Sequence, residues 1–258
     1  MDDWKKVIID AGHGGEEPGA TYQGRQEKND TLRLALAVGQ ILSDHGVEVS
    51  YTRVTDVFQT PFEKTQIANR SGSDYLLSIH RNAMPVPGTA SGTETLVYED
   101  GGDAARMAAN INEQLEKTGF HNLGTIERPG LIILRRSEMP AVLVEAGFID
   151  NEADNVFFDT HFDAIANAIA EGVLETIREE AAEPEYYQVQ VGAFQDRRQA
   201  QELLRNLQEA DFPAFLIAGD GWFRVRVGAY LNLDHAAWME KQLRAMGYPT
   251  MIVKERPR

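Results

Sequence analysis

Three short apolar runs each pass straight into a polar motif. Val7-Ile8-Ile9 leads into Asp10-Ala11-Gly12-His13-Gly14-Gly15, Tyr75-Leu76-Leu77 into Ser78-Ile79-His80-Arg81-Asn82, and Ala141-Val142-Leu143-Val144 into Glu145-Ala146-Gly147-Phe148. Runs this short and this apolar read as buried strands. In an open α/β sheet, ligands bind in the crevice outside the carboxyl ends of the strands. His13, His80 and Glu145 are far apart in the chain, yet that topology can bring them to one point. Two imidazoles and acidic groups at one point are what a catalytic zinc needs.

Helical and strand-like segments alternate around these runs. Leu34, Val38, Ile41 and Leu42 recur at helical spacing, and Gly46 closes that helix. Val47 to Tyr51 alternates like a strand, Pro61 to about Arg70 is helical, and Thr93–Tyr98 is a strand. Ala104, Ala108, Ile111 and Leu115 mark a helix, Leu131–Leu134 reads as a strand, and Phe162, Ile165, Ile169, Val173 and Ile177 mark a last helix. This alternation predicts an α/β domain, a mostly parallel twisted sheet flanked by helices.

A polar stretch ending in Pro, Arg178 to Glu185, marks a boundary. The reading is a first domain over 1–178, a linker over 179–185 and a second domain over 186–258. The second domain repeats internally. Val189-Gln190-Val191-Gly192-Ala193-Phe194 recurs 36 residues later as Val225-Arg226-Val227-Gly228-Ala229-Tyr230, and the same offset carries Leu207 to Leu243. Each copy reads strand, helix, strand. Two such βαβ units, too short to stand alone, make a small α+β, ferredoxin-like βαββαβ domain with both helices on one sheet face. If the repeated valines face the core, Gln188, Gln190, Arg224 and Arg226 alternate onto the open face, which suggests a binding surface.

The chain has 258 residues, 43% of them hydrophobic, and no cysteine. A metal site can therefore use only His and carboxylate ligands. Net charge is −15, from 25 basic and 40 acidic residues; residues 185–258 hold 10 and 9 of them, so residues 1–184 carry −16. That balance argues against a nucleic-acid partner. No run approaches the ~20 apolar residues of a membrane span. Met1-Asp2-Asp3-Trp4-Lys5-Lys6 lacks a basic segment followed by an apolar one, so no signal peptide is expected.

Glu27 lies between the His13 loop and the first long helix. With His13 and His80 it completes a His2Glu set that leaves a position for water. Hydrolysis then needs a carboxylate to take the water's proton and hand it to the leaving amine. Glu145 suits that role. Each residue also has a plain structural reading. His80 could be a satisfied core histidine, Glu27 a carboxylate favoured by a helix N-terminus, and Glu145 a cap or an ion-pair partner. His45, His121, His161 and His235 lack such context and read as structural or solvated.

Residues 5–178 resemble the zinc-dependent N-acetylmuramoyl-L-alanine amidases of the Amidase_3 family. The likeness rests on Ile9 to Gly15, Pro18-Gly19-Ala20, Glu27-Lys28, Thr52-Arg53, Ala68-Asn69, Ser78 to Asn82, Pro140 to Phe148, and Asn151. It implies zinc bound by His13, Glu27 and His80, Glu145 as catalytic carboxylate, and cleavage of the amide between the lactyl group of N-acetylmuramic acid and L-Ala in peptidoglycan. Where the family often carries Arg, this chain has Lys64, which does not reproduce arginine's two-pronged contacts. Only about one helix fits between Gly101 and Leu123, which leaves no room for a long helical plug and predicts a site open without an activator. Residues 185–258 resemble a SPOR domain, opening on Tyr186 to Phe194. That family binds peptidoglycan, favouring glycan strands stripped of stem peptides. Asn82 and Gln190 are read as substrate-binding residues, Gln190 by its match to a residue on that family's binding face.

The expected protein is a zinc amidase tethered to the wall by its second domain, with peptidoglycan as partner and a monomer as the default state. The alternatives are a non-catalytic wall-binding or regulatory protein on an amidase scaffold, and a zinc peptidase cutting within the stem peptide. With no export signal visible, three settings fit: a mother-cell lytic enzyme of sporulation, a phage lysin, or a secreted protein read after loss of its leader.

Overall fold

A computed structural model describes residues 5–182, 186–231 and 233–255. The chain divides into two compact units, Met1–Glu180 and Ala181–Arg258.

The first unit runs β1 (Lys6–Ala11), β2 (Thr21–Tyr22), β3 (Arg25–Gln26), α1 (Glu27–Asp44), β4 (Glu48–Tyr51), α2 (Pro61–Arg70), β5 (Tyr75–Asn82), β6 (Thr93–Val97), α3 (Gly102–Thr118), β7 (Asn122–Glu127), α4 (Ile132–Arg135), β8 (Ala141–Phe148), α5 (Glu152–Thr160) and α6 (Phe162–Ala182). Six strands form one sheet in the order β4-β1-β5-β8-β6-β7. β1, β4, β5 and β8 run parallel. β6 is antiparallel to β8 and parallel to β7.

Strand alternation sorts the side chains onto two faces. Val7, Ile9, Leu77, Ile79, Val142 and Val144 share one core with Leu34 and Val38 of α1, Met107 and Ile111 of α3, and Ile169 and Val173 of α6. Their neighbours Ile8, Leu76, Leu96, Ala141 and Leu143 face a smaller core closed by Ala68 of α2 and by Ile133 and Leu134 of α4, with Ile67, Ile126, Leu131 and Met139 packed against it. Asp10, His80, Glu94 and Glu145 continue this second set by parity. The site therefore lies on the less covered face, where the parallel strands end.

Local sequence sets the helix starts. Thr60 caps α2, with Pro61 in its first turn and Glu63 completing a reciprocal capping box. The Asn151 side chain accepts from the amides of Ala153 and Asp154 at the start of α5. α1 has no side-chain cap. Its first two amides instead donate to the carbonyls of Ala20 and Pro18, which ties Glu27 to the chain leaving the His13 loop.

One expected strand is corrected. Leu131–Leu134 contributes the helical turn α4. Ile133 and Leu134 are consecutive and both buried in the same small core, which strand alternation forbids and a helical turn allows. A four-residue apolar run does not separate the two by itself. β7 and α5 were absent from the sequence reading. α6 continues through Ala182, so the first part of the expected linker 179–185 is helical; residues 183–185 lie outside the described residues, as do residues 1–4 at the start of the segment read for a signal peptide. Among the described residues, no helix is long and apolar enough to cross a membrane.

The second unit runs β9 (Tyr186–Phe194), α7 (Arg197–Glu209), β10 (Ala214–Gly219), β11 (Trp222–Tyr230), α8 (Leu233–Ala245) and β12 (Met251–Glu255). Its antiparallel sheet has the order β10-β11-β9-β12. Val189, Val191, Val225 and Val227 form one core with Ala200 and Leu207 of α7 and Leu243 of α8. Both helices thus cover the same face, as the repeat predicts.

Candidate metal centre and active site

His13 stands on the loop leaving β1, while His80 and Glu145 lie within β5 and β8 rather than beyond their ends. The strands run on through their motifs because the apolar alternation does: Ile79 and Ala146 are fully buried beside them. His13 has a φ of 59°, a left-handed conformation that is strained for a residue with a Cβ. Two glycines make space for the His13, Glu27 and His80 side chains. A Cβ on Gly12 would lie 2.4 Å from the His80 ring, and one on Gly19 would lie 2.5 Å from the His13 ring and 2.6 Å from the Glu27 carboxylate.

Glu27 bridges the two imidazoles. Its Oε2 lies 3.0 Å from His13 Nε2 and its Oε1 lies 2.9 Å from His80 Nδ1. The same oxygens accept from the amides of Ala20 at 2.9 Å and Arg81 at 3.0 Å. Burial pushes the Glu27 carboxyl up, but the hydrogen bonds and charges of both histidines outweigh it and hold the group well below the usual carboxylate range. His13 is desolvated, which lowers it, yet Glu27 and Glu17 raise it above its ordinary value. One donor atom from each of His13, Glu27 and His80 lies within 4.8 Å of the others, the one such group among the described residues. Two imidazoles and a carboxylate are a zinc-type donor set.

Glu17, Arg53, Lys64 and Asp10 support these groups, and of the four only Glu17 was not singled out by the sequence. The Glu17 carboxylate bonds to His13 Nδ1, the outer-shell contact that orients a ligating histidine; its position four residues on was the available signal. Arg53 donates to the carbonyls of Ala11 and Gly12 at 3.0 and 2.8 Å, so the Thr52-Arg53 motif shapes the His13 loop. Lys64, 4% exposed, pairs with Asp10, 2% exposed, at 2.8 Å and also donates to the Ala11 carbonyl. Thr52 and Ser78 donate to the same carboxylate at 2.6 and 2.8 Å. The ion pair therefore forms with lysine where the family often has arginine. Burial raises Asp10, but Lys64, Thr52 and His80 bring it below its ordinary value.

Glu145 pairs with His80 across β5 and β8. Its Oε2 is buried without a hydrogen-bond partner. Burial first, then the charges of Glu27 and Glu94, push the Glu145 carboxyl well above the usual range. A raised pKa makes the ionised carboxylate a stronger base and leaves its acid form able to return the proton. A cavity of about 570 Å³ opens beside His13 and His80, walled by Phe58, Pro61, Leu131, Ile132 and Ile133. α3, which fills the interval from Gly101, packs on the opposite sheet face.

The chain from Lys6 to Phe148 thus brings together all four residues that the sequence singled out for chemistry. A family model for N-acetylmuramoyl-L-alanine amidase matches residues 7–175. The chain belongs to the Amidase_3 family. A SPOR-domain model matches residues 183–254. The chain is 32% identical over 222 residues to the sporulation-specific N-acetylmuramoyl-L-alanine amidase of Bacillus subtilis, covering 83% of this chain and 85% of that protein. It is 31% identical over 221 residues to the amidase CwlM of Bacillus licheniformis, again covering 83% and 85%. Among solved structures, an N-acetylmuramoyl-L-alanine amidase from Clostridium difficile superposes with a TM-score of 0.66 at 28% identity, over 69% of this chain and all of the other. The catalytic domain of CwlV from Bacillus (Paenibacillus) polymyxa does so with a TM-score of 0.63 at 30% identity, over 67% of this chain and 98% of the other. As an amidase of this family, the protein hydrolyses peptidoglycan at the amide between N-acetylmuramic acid and L-Ala, and its SPOR domain targets it to the wall.

The remaining expected positions are placed as follows. Asn82 ends β5 and donates to Glu94 Oε1 at 2.9 Å. Gln190 lies in β9, opposite the valine face. Its Oε1 is 3.4 Å from Arg226 Nε, and Arg226 also donates to Gln188 at 3.0 Å and pairs with Glu255 at 2.6 Å. His45 is the C-terminal cap of α1 and His161 that of α5, stacked 4.2 Å from Phe157.

Proposed function

We propose that His13, Glu27 and His80 hold a zinc ion and that Glu145 is the catalytic carboxylate of the amidase reaction. The observation that carries this reading is Glu27, a buried carboxylate kept ionised and aimed at two imidazoles by main-chain amides. Such a group is ready to take a cation without rearranging. Bound there, zinc would lower the pKa of a water to about 7 and polarise the lactyl-amide carbonyl. Glu145 takes the proton of the attacking water and hands it to the amide nitrogen, so that L-Ala leaves as an amine. Glu17 fixes the His13 ring, and Arg53 and Lys64 fix the carbonyls of the loop that carries it. Asn82 and Gln190 are assigned to substrate contact, the first at the end of β5 beside Glu94 and the second on the SPOR sheet. A domain pair over 1–178 and 186–258 separates catalysis from tethering, and tethering raises the local substrate concentration. One chain supplies every group named, which supports a monomer active without an activator. The likeness to a sporulation-specific amidase supports a role in sporulation.

Replacing Glu145 with Ala tests the assignment. The variant should bind one zinc per chain, measured by metal analysis, while muropeptide hydrolysis falls by about 10²–10⁴-fold. Hydrolysis at the wild-type rate would refute the role given to Glu145.

A further inference from the structure

The register places His80 of β5, Glu145 of β8 and Glu94 of β6 in one row across the sheet. All three project from the less covered face. With adjacent strands ~4.8 Å apart, the row spans about 10 Å from His80 to Glu94. Glu94 and Glu145 are a directly opposed pair on antiparallel strands. Like charges in that position destabilise a sheet, and neither carboxylate has an ion pair among the described residues. Glu94 is also fixed in place. The Asn82 side-chain oxygen accepts from the Ala83 amide at 2.8 Å, which turns the Asn82 amide nitrogen onto Glu94 Oε1. Two glutamates are thus opposed across the sheet without a direct ion pair, and one has a buried, unpartnered oxygen.

The reaction itself produces a cation that such a pair can bind. We propose that Glu94, with Glu145, forms the subsite for the leaving nitrogen and binds it as the α-ammonium of the released L-alanyl peptide. Hydrolysis adds water across the amide and breaks its C–N bond. One proton of the water reaches the nitrogen by way of Glu145. The other is lost by the new lactyl carboxylic acid and is taken up by the amine, whose pKa of about 8 keeps it largely charged at neutral pH. The products are a carboxylate and an ammonium. With the carbonyl held on the His13 and His80 side, as the amidase reading has it, the nitrogen falls toward Glu145, and Glu94 is the next carboxylate along the row. Positive charge grows on this nitrogen as it is protonated for departure, so a fixed carboxylate there favours the transition state over the neutral substrate amide. Glu94 therefore acts mainly on kcat. The proposal rests on the amidase reading and extends it.

The test uses the zinc-loaded full chain and two synthetic inhibitors, L-Ala-γ-D-Glu and its propionyl-γ-D-Glu analogue, which lacks only the ammonium. The wild type should bind the free-amine peptide about tenfold more tightly, as expected for charge-assisted hydrogen bonds. Glu94→Gln keeps an acceptor for Asn82 but removes the charge. It should lose about fivefold or more in affinity for the amine peptide and in kcat, with the propionyl peptide and KM unchanged within about twofold. Glu94→Asp should restore most of the preference. A wild type that does not distinguish the two peptides overturns the proposal whether or not the variants fold. So does a Glu94→Gln protein that weakens both peptides alike. New free L-Ala termini from muropeptides, measured on the same preparation, keep the outcomes separate. If they appear without the amine preference, only the Glu94 assignment falls. If they do not appear, the amidase reading falls with it.

Discussion

On the six-stranded sheet, the less covered face, the one under α2 and α4, carries Asp10, His80, Glu94 and Glu145. On the four-stranded sheet, the face opposite α7 and α8 carries Gln188, Gln190 and Arg226. The two surfaces differ in how their polar groups are satisfied. Arg226 is only 5% exposed, yet two glutamines and Glu255 take up its donors. Glu145 is left with a buried oxygen that nothing partners, opposite a second glutamate. Satisfied polar groups give a stable face for recognition, whereas unsatisfied ones store the potential that chemistry uses. The acidic balance of the chain follows the same division, with residues 1–184 at −16 and the rest at +1.

The sharpest way to break this comparison is to remove a satisfied charge from the catalytic unit. Lys64→Ala would leave Asp10 buried and ionised without its cation. It should destabilise the chelated protein by about 3–5 kcal/mol in urea unfolding, the usual result of breaking a buried pair. A loss below about 1 kcal/mol would show that Asp10 does not depend on Lys64.

A smaller effect is expected on the other sheet. Gln190→Ala should weaken co-sedimentation with glycan strands by about fivefold, the worth of roughly one hydrogen bond. Turnover of a small soluble muropeptide should not change. A loss of soluble turnover would contradict the division of labour between the units.

The smallest effect sharpens the account of Glu145. Its carboxyl is raised in the folded protein, so the stability tied to it is complete below the ordinary glutamate pKa and is lost as pH rises through the raised value. Glu145→Gln avoids that loss. The zinc-free variant should melt about 2–4 °C above the zinc-free wild type at pH 8, and the gain should vanish near pH 4. A gain that is independent of pH would mean that packing, not ionisation, sets the difference.

Much of this architecture was legible because the three central strands are nearly pure Val, Ile and Leu, and because the 36-residue repeat needs no partner beyond itself. His13, Glu27 and His80 were legible only as a set: each has a plain structural reading alone, and their ordered occurrence with Glu145 is what marks them. Glu94 and Glu17 were not, because their meaning comes from register and loop closure, which sequence spacing does not encode. Glu94 lies in Thr93-Glu94-Thr95, and only the antiparallel pairing of β6 with β8 sets it against Glu145. α4 was misread for a related reason. Its apolar run is too short to show a period, and tertiary burial of Ile133 and Leu134 decides the helix.

The most direct test of the central claim is to digest purified peptidoglycan with the full chain, with and without a chelator, and to identify the new ends by mass spectrometry. The account predicts free L-Ala amino termini and intact glycan strands, lost on chelation and restored by zinc. New ends within the stem peptide, or no product while the protein still sediments with the wall, would contradict it.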